Sequence, residues 1–498
     1  MTTIIRRDLK IPERMAWWAA LLPVGVLLSP AWVLLAQTWP TGRPAALVDS
    51  LATVLIILLP LAWNRTVRGF LLTWLPIAPL AAAYALYPTI FHRLAGPEAW
   101  LSLFQTNAAE ASELASYFWA PLLACSAAVL LYVVVTVTLP RMPVPRPMRL
   151  ASVCGFAGLV ILAPLMTRAF PVDCFRDAWQ AAHMLAATGA PEAVAPIDRG
   201  KRPVELFVLV IGESARRQEF YELLPMTERL ATRPNLVLFE SAISQAAMTR
   251  FSVPMLLAGV TATLPGSAPN LLSYARAAGL HSVWLNGNDA EANYSIGADE
   301  LLHVRGVPDR DLLPVIRQQI AKYPRLYLVV HTGGSHAPYA TRYGLADQVF
   351  PVKGGHAFSA TRAAYQNSII ATQRFLADTL AVLSEQKGEV FFCYVSDHAE
   401  NLMDDERQLI LHGFGARVEY DVPLVFWAND AYIASNSSGW RQLVANRRLP
   451  VSNQDVMATF KQAFGIAGET DNGLMGQYKR YERMVRFNTI VLPYSSLQ

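Results

Sequence analysis

Charge is what this sequence has least of. Only 16% of its 498 residues are Asp, Glu, Lys or Arg, against 53% hydrophobic, and the mean hydropathy is +0.27. That balance excludes an ordinary soluble protein and points to a membrane component. Cysteine is almost as scarce. Of four, Cys125 and Cys154 fall inside apolar runs, Cys174 in a linker and Cys393 in a strand-like segment. One pair outside the apolar runs excludes a disulfide framework, so the expected state is free and buried. Repeats and low-complexity tracts are missing too. The net charge of +4 sits mostly on arginines flanking the apolar runs, which gives no ground for nucleic-acid binding.

What the chain has instead is apolar length, concentrated before residue 168. Five segments approach the roughly 20 residues that a bilayer crossing needs: about 15–37, 45–63, 69–91, 117–139 and 150–167. The only acid within them, Asp49, lies near one end of the second. A cleaved signal peptide is not expected, because the first run is too long and more follow. Arg6, Arg7, Lys10 and Arg14 precede span one, Arg65 and Arg68 lie between two and three, and Arg141, Arg146 and Arg149 between four and five. The opposite loops hold only Arg43 and Arg93. The positive-inside rule then gives a cytoplasmic amino terminus and an exported carboxy-terminal half. The loop from His92 to Ser116 reads either as interfacial or as a helical extension of its neighbours. The expected organisation is a membrane domain over 1–168, a linker over 169–202 with a short helix near Asp177–Ala187, and a globular domain over 203–498.

Within that domain, strand-like runs alternate with helical ones, which predicts an α/β fold with a largely parallel sheet. The run VELFVLVI at 204–211 reads as a strand buried on both faces and ends in Gly-Glu-Ser, putting Glu213 at its tip. FFCYV at 391–395 ends in Ser396, Asp397 and His398, with Glu400 beyond. Strand ends on one edge of an α/β sheet are where catalytic and metal-binding groups emerge, although each of these short motifs also serves to close a turn. Thr249 stands at a loop-to-helix junction, where a hydroxyl either caps the helix or faces a phosphate at its positive end. His331, His336 and His412 fall at or after further strand-like segments. Two carboxylates, a histidine and a hydroxyl suit a tetrahedral borderline metal such as Zn²⁺. Such a metal lowers the pKa of a threonine hydroxyl enough to make it a nucleophile. The remaining histidines suit phosphate oxygens, a second metal or a leaving-group proton.

At IGES (211–214), MTRFSVP (248–254), GGSHAP (333–338), YVSDHAE (394–400) and LHG (411–413) the chain resembles the membrane-anchored phosphoethanolamine transferases of Gram-negative bacteria, in the alkaline phosphatase/sulfatase superfamily. The resemblance covers nearly the whole length. It implies zinc, one ion or two, held by Glu213, Thr249, Asp397 and His398, with Thr249 the residue that carries phosphoethanolamine. It implies substrate-phosphate or second-zinc roles for His336 and His412, places His331 and Glu400 near the site, and puts Asn288 near the ethanolamine group. It further implies phosphatidylethanolamine as donor, lipopolysaccharide (lipid A or a core sugar) or another envelope glycan as acceptor, and an inner-membrane protein with a periplasmic catalytic domain. The chain departs from the family at SQAAM, where a cysteine usually adjoins the nucleophile, at Ala399 in place of glycine, at Arg250, and in its lack of periplasmic disulfides.

Three other readings stay open. Glycerol-phosphate transfer of the lipoteichoic-acid-synthase type shares five spans and a threonine nucleophile. A sulfatase needs a C/S-x-P-x-R pattern that MTRFSVP lacks. A non-catalytic envelope scaffold would have lost the ligands, and every one is present. The orientation makes a direct prediction: an alkaline phosphatase reporter fused after Gln498 should be active in cells, and one fused within 141–149 silent. The opposite pattern would invert the topology.

Overall fold

The computed structural model describes residues 12–38, 44–106, 108–186, 190–198, 205–262, 266–288, 293–304, 308–352, 357–466, 468, 472–487 and 490–497. Arg6, Arg7, Lys10, Arg43 and the first strand residue, Val204, lie outside them. The chain divides into two compact units, Met1–Leu185 and Ala186–Gln498.

In the first unit the apolar runs are helices. Glu13–Thr38, Pro44–Leu58 with its 3-10 continuation Leu59–Ala62, Trp119–Thr138, and Arg146–Leu162 extended by Ala163–Leu165 supply four spans long and apolar enough to cross a membrane. The expected third span over 69–91 is not one helix. It is Val67–Thr73 and Ala78–Phe91, bent by 68°, so five spans result only if this pair counts as one. Pro76 explains the break: it has no N–H to continue the ladder, and its ring clashes with the preceding turn. Asp49 is buried rather than lipid-facing, accepting from the Thr167 N–H (2.8 Å) and hydroxyl (2.6 Å). The 92–116 loop forms separate helices, Pro97–Gln105 and Ala108–Tyr117. The linker helix starts five residues earlier than expected, at Val172, and runs to Ala186.

The second unit is built on seven strands. They are β1 (Glu205–Gly212), β2 (Leu236–Leu238), β3 (His281–Asn286), β4 (Glu300–His303), β5 (Arg325–His331), β6 (Glu389–Ser396) and β7 (Leu424–Ala428). Their order across the sheet is β2-β7-β6-β1-β5-β3-β4, and β7 alone runs antiparallel to its neighbours. The short edge strand β4 has no signal in the sequence, because its four residues alternate without a continuous apolar run. The central strand β1 is buried along its whole length. Leu206, Val208 and Val210 pack toward the long helix Ala357–Ser384, and Phe207, Leu209 and Ile211 toward the helix Gln454–Phe464. Each such buried side chain contributes roughly 1.5–3 kcal/mol.

The register positions the site. Ile211 pairs with His331, Gly212 with Ser396 and Asn286 with His331, so four strand ends release their next residues side by side. Four cysteines are free, and the tail is held by polar contacts instead. Buried Asp455 Oδ2 accepts from the Ser452 N–H (2.9 Å), Tyr478 Oη (2.9 Å) and Tyr481 Oη (2.7 Å). Burial outweighs these bonds and pushes the Asp455 carboxyl up to about 6, against an ordinary 3.8. Since the folded protein holds this proton more tightly than the unfolded chain, the group's contribution is full below about pH 4 and is lost as pH rises through about 6. The loss is on the order of 3 kcal/mol. Unfolding of wild type and Asp455→Asn between pH 4 and 7 should therefore differ in slope over that window, with the variant lacking this group's share of the fall; parallel slopes would refute the assignment.

Candidate active site

Gly212 opens the site because nothing larger fits at the end of β1: a Cβ there would lie 2.6 Å from the Tyr394 hydroxyl. Glu213 follows, fully buried, and Ser214 turns the chain with φ of +58°, a costly conformation outside glycine. The Ser214 hydroxyl donates to Glu213 Oε1 at 3.1 Å, and its N–H to Asp397 Oδ1 at 3.1 Å. Asp397 and His398 are also fully buried at the end of β6. One oxygen of Glu213, one of Asp397 and one nitrogen of His398 lie within 4.8 Å of one another.

Thr249 completes the group. It is the first residue of the helix Thr249–Ala258, and Met248 holds the N-cap position without capping it. The threonine is therefore not the cap; its hydroxyl reaches Glu213 Oε1 (3.2 Å), Glu213 Oε2 (3.3 Å) and His398 Nε2 (3.2 Å) instead. A hydroxyl aimed at two ionisable groups on the first turn of a helix stands where a phosphate would meet the helix's positive end.

The remaining predicted residues surround this set. Buried Asn288 donates from Nδ2 to Glu213 Oε2 at 2.7 Å, and His331 Nε2 lies 3.8 Å from that oxygen. The residues that follow WLNGN, 289–292, are outside the described ones. His412 stacks beside His398 with ring centroids 4.0 Å apart, and its Nδ1 meets Glu400 Oε1 at 3.1 Å. His336 is set further back, its ring 6.3 Å from that of His412, with Nδ1 turned to the Ala337 carbonyl. Among the described residues, one group of three or more His, Cys, Asp or Glu has metal-binding spacing, and it contains neither His336 nor His412.

The electrostatics call for a cation. Burial opposes charge on all three central groups. Even so, the facing ring nitrogens of His331 and His398 hold Glu213 well below the usual carboxylate range. Burial, then the Glu213 charge, raises Asp397 to about 6. His398 rises to about 10 against its burial, because Asp397 and Glu213 face it. Burial and the neighbouring His398 and His336 push His412 far down, to a neutral imidazole, and burial raises Glu400 to about 7. Asp397 Oδ2 is buried with no hydrogen-bond partner. A set of hard and borderline donors with an orphaned, inward carboxylate oxygen fits a divalent metal such as Zn²⁺.

Sequence reasoning missed the parts that hold this set in place. Gly334 (φ +50°) lies against the Glu213 backbone so closely that a Cβ would fall 2.7 Å from its N and O. The Ser335 N–H donates to Glu213 O at 2.8 Å, and Asp309 accepts from the Gly333 and Gly334 N–H groups at 2.9 and 3.1 Å. Arg342 Nε donates to the His336 carbonyl at 2.8 Å. Of these, only the glycine pair in GGSHAP carried a signal. Ala399 needs no glycine: its φ is not positive, and its N–H donates to the Glu419 carbonyl at 2.8 Å.

Comparison with known proteins sets this geometry in context. The sulfatase family profile matches residues 205–466. Phosphoethanolamine transferase EptA of Helicobacter pylori is 27% identical over 290 residues, covering 52% of this chain and 53% of that protein. The chain spans about half the length of the curated relatives it matches, 43–53% of them. Two solved structures share the fold. The integral membrane lipooligosaccharide phosphoethanolamine transferase A of Neisseria meningitidis aligns over 90% of this chain and 95% of its own, with a TM-score of 0.60 at 18% identity. The periplasmic domain of EptC from Escherichia coli, in complex with Zn, aligns over 62% and 98%, with a TM-score of 0.56 at 19% identity.

The close approach at Gly334 yields a prediction. Gly334→Ala forces the 333–338 loop off Glu213 and adds left-handed strain, so the melting temperature should drop by about 5 °C or more and metal content fall with it. An unchanged melt would show that the loop is not clamped there.

Proposed function

This chain belongs to the sulfatase family, and on that premise we propose that it transfers phosphoethanolamine from phosphatidylethanolamine, through a covalent Thr249 intermediate, to lipopolysaccharide or another envelope glycan. The observation that carries the reading is the Thr249 hydroxyl, within 3.3 Å of both Glu213 and His398. The family's sulfate-ester chemistry needs a Cys or Ser in C/S-x-P-x-R, and this chain offers threonine at that place. The relative and fold neighbours named for phosphoethanolamine transfer support phosphoethanolamine as the transferred group.

Glu213, Asp397 and His398, with Thr249, would hold one zinc ion, and His336 and His412 would serve the substrate phosphate. The bound metal supplies positive charge that lowers the threonine pKa and offsets charge on the phosphoryl oxygens. Thr249 Oγ1, its proton directed at Glu213, forms a bond to phosphorus; the bond from phosphorus to the glycerol oxygen breaks, and diacylglycerol leaves with a proton. Neutral His412, oriented through Nδ1 by Glu400, is the group to take up the Thr249 proton and pass it on to the departing glycerol oxygen, with His336 beside it. In the second step an acceptor oxygen displaces Thr249 and the enzyme is restored. Asn288, bonded to Glu213, holds that carboxylate in place and would face the ethanolamine group of the donor.

Apolar helices in the same chain keep the enzyme in the bilayer that contains a lipid donor, so the substrate is met at high local concentration. This corresponds to an inner-membrane protein with its catalytic unit in the periplasm. The test is mass spectrometry of the purified full-length protein after incubation with phosphatidylethanolamine. A phosphoethanolamine adduct should appear on the Thr249 peptide, vanish in Thr249→Ala and be absent with phosphatidylglycerol. A glycerol-phosphate adduct would move the activity to the lipoteichoic-acid type, and no adduct with metal-loaded protein would favour a scaffold.

A further inference from the structure

His412 stands at the end of a strained arm. Asn401–Leu402 pairs antiparallel with Ile410–Leu411, so Glu400 and His412 form the two feet of a hairpin whose side chains meet at 3.1 Å. Leu411, immediately before His412, has φ of +78°, and Met403 and Gln408 have φ of +62° and +52°. Three residues other than glycine in the left-handed region are strained and persist only where the surroundings hold them. Inside the hairpin Asp405 pairs with Arg407 at 2.9 Å. Asp404 accepts from the Leu402 N–H through Oδ1 at 3.3 Å and reaches outward through Oδ2, to Arg216 Nη1 at 2.7 Å.

Arg216 is itself fixed to the metal-site turn. It lies three residues after Glu213 and is buried. Its N–H donates to the Tyr365 hydroxyl, which donates to the Ser214 carbonyl, both at 2.8 Å. Its Nε pairs with buried Glu219 at 2.9 Å, which in turn meets Arg362 at 3.2 Å. One buried guanidinium thus joins the turn carrying Glu213 to the arm carrying His412.

We propose that Arg216 is a positioning residue, holding the 401–411 hairpin through Asp404 so that His412 stays beside His398. The pair's value is register rather than net stability, since a buried ion pair often returns little more than it cost to desolvate. For catalysis the inference rests on the reading of His412 as a substrate-facing residue.

The test uses the full-length protein with Asp404→Asn, which leaves Arg216 paired to Glu219. Hydrogen exchange of the 401–411 amides should quicken by about tenfold or more, with metal content unchanged. Transfer should lose about tenfold to hundredfold in kcat at unchanged KM, as expected when a reacting group is displaced by about 1 Å. Combined with His412→Gln, it should cost nothing further, because both changes act through one imidazole. Asp404→Glu keeps the charge and should restore both readouts. Unchanged exchange, additive losses or failure of that rescue would each overturn the proposal. If the wild type transfers nothing, the functional reading fails, while the exchange experiment still decides the pin.

Discussion

Two carboxylates buried within reach of one another are the constraint around which the soluble unit is arranged. Glu213 and Asp397 have no exposure to solvent, and an isolated buried charge is costly enough that a protein normally neutralises it. Here His398, Thr249, Asn288 and His331 converge on Glu213 from four different segments. That convergence compensates part of the charge and leaves Asp397 Oδ2 without a hydrogen-bond donor. His398 Nε2 lies 3.4 Å from that oxygen, and a bound cation would satisfy it, so electrostatics and ligand spacing point the same way.

The parallel sheet supplies the convergence. Because β1, β5 and β6 end in register, the residues just past their ends are neighbours without any long loop to bring them together. Strain then appears at the bends rather than in the sheet: Ser214 and Leu411 have positive φ at the rim of the site, while Gly334 takes its positive φ without cost. Each is held by packing or by hydrogen bonds from a second segment, so the group around Glu213 is fixed on several sides. His412, by contrast, sits at the foot of an attached hairpin. Such a division suits a two-step transfer, in which the donor and acceptor must occupy the same place in turn while the nucleophile stays fixed.

Much of this was legible in the sequence, for a definable reason. Continuous apolar runs ending in acids are a one-dimensional signal, so β1, β6 and the residues at their ends could be read directly. The spans were equally plain, except where Pro76 breaks the third helix: a hydropathy window averages across a proline that the backbone cannot ignore. What could not be read is whatever depends on pairing across long separations. β4 is short and half-exposed, and β7 runs antiparallel because of its connection rather than its composition. Asp309 and Arg216 look like ordinary surface charges until the chain is folded. The threonine's role was ambiguous for the same reason, since capping and nucleophilic positions share one local pattern and are separated only by where the hydroxyl points.

The scarcity of cysteine has a structural counterpart. With no cross-link in the soluble unit, the carboxy-terminal segment is fixed by Asp455 and its two tyrosines, and by Arg483, which donates to the Ser241 and Val451 carbonyls. Those contacts bind the strand Pro450–Ser452 to Ser241–Ile243, and the latter leads directly into Ser244, whose hydroxyl donates to the Asp397 carbonyl. A disulfide in such a place would act largely by restricting the unfolded chain, whatever the pH. A buried carboxylate acts on the folded state and carries its pKa with it, so here the closure of the tail and the support of the Asp397 backbone share one titrating group. The chain has thus exchanged a redox-sensitive closure for a proton-sensitive one.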